Sequence, residues 1–218
     1  CFPHCSNVVG AGNPVAQITA MVRAVGAYSC VDGVSYAPHG FPNVDVLGAD
    51  IYLFSAYKTY GPHQGVMVIR RELGMSLPNQ GHYFNADSLY KRFTPAGPDH
   101  AQVAACAGMA DYVDAVHAHH FGGEATPALR CAQVHDLFRA HEVQLTQPIL
   151  DYLAAKNSAQ LIGPDKAEDR APTIAIKLQM SGEEAAEKLA PFGVMAGGGD
   201  FYAVRPLEAL NISPEHGV

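Results

Sequence analysis

Residues 32–58 read DGVSYAPHGFPNVDVLGADIYLFSAYK, and this stretch decides how the chain is to be understood. Two short runs suited to strands frame it, residues 27–31 and 50–54, both with β-branched or aromatic side chains. Each run ends in residues too polar or too small for a core: Asp32-Gly33-Val34-Ser35 after the first, Ser55-Ala56-Tyr57-Lys58 after the second. The strands therefore deliver reactive groups at their carboxyl ends. Ligands of open α/β sheets bind outside those ends, so Asp32 and Lys58 are expected to face one crevice.

The pattern continues outward on both sides. Asn13-Pro14 places an N-cap and a first-turn proline, Val15, Ile18, Val22 and Val25 follow at helical spacing, and Gly26 suits the position just past the helix end. Residues 65–69 form a strand that returns after the Gly61-Pro62 turn. Residues 75–98, rich in Pro, Gly, Asn and aromatics without a period, are expected to be loops. An Ala-rich helix follows over 101–119. Thr126-Pro127 opens a long helical region to about residue 156, with a kink or break expected at Pro148. Beyond it lie a strand over 173–178, a helix opened by a capping box from Ser181 to Glu184, and a loop with three consecutive glycines at 197–199. The expected division is a large α/β domain over 1–150, with a mostly parallel sheet, and a smaller α+β domain over 151–218.

Composition narrows the function. The 218 residues are 48% hydrophobic, enough for a substantial core, and carry a net charge of -7 with no Lys/Arg-rich run. That charge argues against nucleic acid or an anionic membrane as partner and for a small ligand. No apolar run approaches membrane-spanning length and no signal-like leader opens the chain, which reads as cytoplasmic. The five cysteines are scattered and form no C-x-x-C pair, so they read as reduced thiols, mostly buried. The chain has no initiating Met and begins and ends abruptly, which reads as a fragment of a longer protein.

Lys58 and Asp32 together suit pyridoxal phosphate (PLP). A lysine that attacks the cofactor's aldehyde must be a neutral amine, and a carboxylate against the pyridine nitrogen keeps that nitrogen protonated. Ser55 can donate to a phosphate, and the Gly61 and Gly65 backbone can approach one closely. Taken singly, each residue has an ordinary alternative: a surface lysine, a turn aspartate, a turn serine.

The segments SNVVGAGNPV, VDGVSYAPH and DIYLFSAYKTYGPHQG, in this order, resemble the fold-type I PLP enzymes of the class V aminotransferase group, particularly its cysteine desulfurase-like branch. The resemblance covers essentially the whole chain, including RFTPAGPDHAQ. It implies a PLP-dependent enzyme, transferase or lyase, acting on an amino acid through a Schiff base on Lys58. Asp32 would bind the pyridine nitrogen, and Ser55 and Tyr57 the phosphate. Asn7 would lie near cofactor and substrate. Ser35 stands where desulfurases usually carry a Gln that contacts the cofactor's phenolic oxygen. Residues 93–100 match a segment that reaches the phosphate of a neighbouring subunit, with Gly97 in place of a frequent Thr, so a homodimer is implied. The family's phosphate-binding loop and ring-stacking residue would precede Cys1, and its carboxylate-binding arginine would follow Val218. The isolated chain is therefore expected to bind PLP weakly. The loop over 196–205, where desulfurases carry a persulfide cysteine, holds none here, while its Tyr202 and Arg205 are candidates to meet a substrate.

Three other readings compete. A PLP-fold scaffold without catalysis, or an inactive fragment, would keep the fold but has no reason to keep both Asp32 and Lys58. Ser55-x-x-Lys58 also satisfies the serine acylase signature, but Gly61-Pro62 forbids the helix it needs. His117, His119 and His120, with His135 and His141, suggest a metal. The dipole at a helix end offers a simpler reading, a solvated C-terminal turn, and no metal is expected.

Overall fold

The computed structural model describes residues 1–94 and 96–213. Pro95, within the 93–100 segment, and residues 214–218 lie outside the described residues. The chain divides into two compact units, Cys1–His4 with Asn13–Phe138, and Cys5–Gly12 with Arg139–Val218. The division falls inside a helix and earlier than the expected boundary near residue 150. It also assigns a short N-terminal segment to the second unit.

In the first unit the order is β1 (Phe2–Pro3), α1 (Val15–Ala24), β2 (Cys30–Asp32), α2 (Val44–Leu47), β3 (Ile51–Ser55), β4 (Gly65–Ile69), α3 (Arg71–Ser76), α4 (His100–Ala105), α5 (Ala107–His120) and the start of α6 (Pro127–Ala154). One four-stranded sheet runs in the order β1-β2-β3-β4. β1, β2 and β3 are mutually parallel, and β4 pairs antiparallel with β3. Val15, Val31, Ala49 and Tyr52 form its buried core, with Phe2, Val44, Leu47 and Phe54 packed around them. At the start of β3, the Asp50 carboxylate accepts from both the N–H and the hydroxyl of Ser29 and pairs with Arg70. These bonds tie β3 to the chain entering β2 and leaving β4.

Several local expectations need correction. α1 begins at Val15 without a side-chain cap, because the Asn13 amide donates to the Pro3 carbonyl instead, 2.7 Å away. β2 starts three residues later than the apolar run suggested. The helix expected over 101–119 is two helices meeting at Cys106. α6 carries Pro148 in its interior without a break. A proline there costs about 3 kcal/mol. The buried Leu150 and the Gln147 side chain, which bonds the Asp165 carbonyl and the Ala167 N–H, hold the helix on both sides of it. In α5, His117 is buried and bonded to Gln133 Oε1 at 2.9 Å, so it belongs to the α5/α6 contact rather than to a solvated helix end.

The second unit holds the rest of α6, a two-stranded antiparallel sheet of β5 (Gln160–Ile162) and β6 (Ala175–Lys177), α7 (Gly182–Leu189) and α8 (Val204–Ala209). Val8, Ile162, Ala175, Ala203, Leu207 and Ile212 form its core. The box at Ser181 is half formed: its hydroxyl caps the Glu184 N–H at 3.1 Å, while the Glu184 carboxylate pairs with Lys188. α8 was not foreseen, so Arg205 is helical rather than part of a loop. Arg170 is buried and serves as a hub for carbonyls, donating to those of Val9, Ile162, Pro164 and Thr173. It fixes the loop within Cys5–Gly12. Gly10, at φ 68° in that loop, leaves no room for a side chain, since a Cβ would meet the Ala171 and Thr173 carbonyl oxygens at 2.9 Å.

Candidate active site

Asp32 is the last residue of β2, in register with Leu53 of β3, and the Gly33 N–H donates to the Leu53 carbonyl at 2.7 Å. Lys58 follows the end of β3 in a single 3-10 turn, Ala56–Lys58. Because β2 and β3 are parallel neighbours, both residues lie at the carboxyl edge of the same sheet. Both are exposed. Among the described residues neither makes an ion pair, and the one hydrogen bond to the Asp32 carboxylate is from the Val34 N–H to Oδ1, at 2.9 Å. The turn at Lys58 closes at Thr59, so the helix required by a serine acylase does not form.

The other candidates in this unit sit close in sequence to the pair. Ser55 ends β3 and Ser35 lies in the turn after Asp32. Tyr57 is stacked on His63, with ring centroids 4.6 Å apart and planes within 7°. Gly97 has open space where a Cβ would be, so nothing nearby forbids a side chain there. An unpaired carboxylate, an unpaired amine and two serine hydroxyls along one sheet edge are the donor set that PLP needs for its ring nitrogen, aldehyde, phosphate and phenolic oxygen. The residues fit the cofactor.

Behind this edge lies a cluster that was not foreseen. The His4 ring is buried, stacks on Tyr36 at 3.7 Å and places Nδ1 2.9 Å from the Tyr52 hydroxyl. Its partners are distant in sequence, and a lone histidine after a two-residue strand gives little signal. Burial first, and the nearby His135 second, lower its pKa from 6.5 to about 4. The unfolded chain takes up a proton on this ring below its ordinary pKa, whereas the folded chain does not until the lowered one. The contribution to stability is thus whole above pH 6.5 and is lost as pH falls towards 4. The loss amounts to about 3 kcal/mol in all. Urea unfolding of the chain between pH 7 and 4.5 should show this slope, and His4→Gln should flatten it. An unchanged slope in that variant would assign the acid sensitivity elsewhere.

In the second unit, Asn7 is exposed in a turn and its side-chain amide donates to the Phe201 carbonyl at 2.8 Å, tying that turn to the glycine-rich loop. Tyr202 is fully exposed with φ 61°, held by its N–H to the Asp200 carboxylate. Arg205 is exposed on α8. Among the described residues no group of His, Cys, Asp or Glu is placed to hold a metal. No described helix is long and apolar enough to cross a membrane. Of the cysteines only Cys5 is buried, which corrects the expectation of mostly buried thiols: Cys30, Cys106 and Cys131 are half-buried and Cys1 is exposed.

The chain matches the family described as aminotransferase class-V over residues 1–210. It is 33% identical over 203 residues to the aminotransferase-like protein FGM3 of Gibberella zeae, covering 89% of this chain and 47% of that protein. It is 30% identical over 181 residues to a probable cysteine desulfurase of Mycobacterium leprae, covering 78% of this chain and 39% of the relative. The chain thus spans roughly half the length, or less, of these relatives. Among solved structures, the cysteine desulfurase CsdA of Escherichia coli superposes with a TM-score of 0.73 at 19% identity, covering 97% of this chain and 51% of that one. The apo cysteine desulfurase of Thermococcus onnurineus gives 0.71 at 21% identity, over 97% and 52%. These likenesses establish the fold-type I architecture expected from the sequence. With the family match spanning nearly its whole length, the chain belongs to the class-V aminotransferases.

Proposed function

We propose that this chain is part of a PLP-dependent enzyme that acts on an amino acid through Lys58 and uses no persulfide cysteine of its own. The family uses PLP. The observation that carries the reading is the placement of Asp32 and Lys58 at the carboxyl ends of adjacent parallel strands, both unpaired among the described residues. When bound, the cofactor supplies an electron sink for bonds broken at or beyond the substrate's Cα. Lys58 would hold it covalently, release it to the substrate amine, and then carry protons as a neutral amine. Asp32 would keep the ring nitrogen protonated. Ser55 and Tyr57 would donate to the phosphate, and Ser35 would lie at the phenolic oxygen. Asn7, Tyr202 and Arg205 would serve the substrate. The 93–100 segment, with Gly97, would reach the phosphate of a second subunit in a homodimer. In the full-length protein, residues 1–150 would belong to the cofactor-binding domain and the remainder to the small domain.

The exclusion of a persulfide route rests on where the sulfurs are. Such a cysteine must be accessible, mobile and low in pKa. Residues 196–205 hold none. Cys30 pairs in register with Ile51, four residues before Ser55 along β3, a separation of about 13 Å at the usual rise. Cys1 precedes Phe2, whose partner is Val31, so it too lies towards the amino edge of the sheet. Cys106 Sγ donates to the Gln102 carbonyl, and the Cys131 thiol is pushed up in pKa by burial and then by Asp114. Cys5 is buried. Full-length protein incubated with L-cysteine, trapped with an alkylating agent and mapped by mass spectrometry should carry no persulfide on any of the five thiols while its cofactor absorbance responds to amino acids. Stoichiometric persulfide on one of them during steady alanine release would overturn the proposal.

A further inference from the structure

We propose that His4 is a positioning residue for Asp32: it clamps the turn that follows β2 and so fixes the direction of the Asp32 carboxylate. The inference rests on the role given to Asp32 under Proposed function. Three contacts carry it. The His4 N–H donates to the Asp32 carbonyl at 2.7 Å, which holds the start of the turn. The His4 ring stacks face to face on Tyr36, at 3.7 Å and 16°, which holds its far end. Its Nδ1 meets the Tyr52 hydroxyl at 2.9 Å, and the Tyr52 ring in turn lies so close over Gly33 that it leaves no room for a Cβ there. The middle of the turn is thereby held as well. The turn closes on itself through the Tyr36 and Ala37 N–H groups, both donating to the Gly33 carbonyl.

An apolar ring would fill the same space. It could not bond the Tyr52 hydroxyl, and losing that bond would loosen the hold of His4 on the tyrosine ring over Gly33. Both His4 and Tyr52 are buried, so neither is available to touch a substrate. Their effect on chemistry must pass through the turn and Asp32. Small displacements of a charged group from its productive position are costly, since such contacts depend on preorganised geometry.

The test uses the full-length, cofactor-loaded protein carrying His4→Phe, His4→Asn or Tyr52→Phe. His4→Phe keeps the stack and deletes Nδ1. His4→Asn places an amide near the former Nδ1 position. Tyr52→Phe deletes only the hydroxyl that His4 uses to hold the ring over Gly33, so a folded variant is available even where His4→Phe lowers stability. The readouts are the pH titration of the cofactor's absorbance without substrate, which reports the charge set at its ring, and kcat and KM separately. For His4→Phe and Tyr52→Phe the titration should move by about one pH unit and kcat fall about tenfold with KM nearly unchanged. His4→Asn should recover part of both. Folded Tyr52→Phe and His4→Phe proteins with the wild-type titration and kcat would overturn the proposal and leave His4 as a packing residue only. Borohydride treatment of the wild type separates this from failure of the underlying reading. No label on Lys58 sinks both, whereas a labelled Lys58 with unmoved titrations sinks the positioning role alone.

Discussion

Replacing Lys58 with alanine will lower turnover by the full-length protein about 1,000-fold or more. The expected loss is large because one amine is asked to do two tasks, holding the cofactor covalently and moving protons at the substrate. Lys58→Arg should be nearly as damaging. A guanidinium keeps the charge but is never the neutral amine that either task requires. Neither change should disturb the fold. Lys58 is exposed in a single turn and makes no ion pair among the described residues, so unfolding free energies should agree with the wild type within about 0.5 kcal/mol. A Lys58→Ala protein that retains activity within tenfold of the wild type would exclude Lys58 from the chemistry.

Asp32→Asn should cost about 100- to 1,000-fold in kcat, the scale on which single preorganised electrostatic contacts act. The substitution is chosen because the Asp32 Oδ1 already accepts the Val34 N–H at 2.9 Å, and an amide oxygen can do the same. The turn therefore survives while the negative charge is removed. Comparison of kcat with thermal stability checks this: the expected result is a large fall in kcat and a small change in Tm. Equal kcat in the two proteins would mean that the charge of Asp32 is not used.

The central pair was legible because its signal is local. Apolar residues followed abruptly by Asp-Gly or by Ser-Ala-Tyr-Lys mark where a strand leaves the core, and the structure puts β2 and β3 side by side in the expected direction. The return strand β4 was equally plain from Gly61-Pro62 and the apolar run after it. Features that depend on partners far along the chain were not legible. Pro148 stays within α6 because Gln147 and Leu150 are held from outside the helix, which no local rule registers. His117 sits near a helix end by sequence, yet Gln133 on α6 draws it into the interior. His4 is the strongest case. Its importance lies in Tyr36, Tyr52 and the Asp32 carbonyl, and only the fold brings these together. Resemblance points to Asn7, but its bond to the Phe201 carbonyl, and the Arg170 bonds that fix its loop, belong to a unit whose packing the sequence does not display.

The account turns on whether Lys58 is the covalent anchor of PLP, and one measurement addresses that directly. Full-length protein is saturated with PLP, reduced with borohydride, digested and mapped by mass spectrometry, with the near-visible absorbance followed before and after reduction. The account predicts a pyridoxyl group on the peptide containing Lys58, loss of the absorbance on reduction, and neither signal in Lys58→Ala. A saturating, reducible cofactor found on another lysine, or none bound covalently at all, would contradict it.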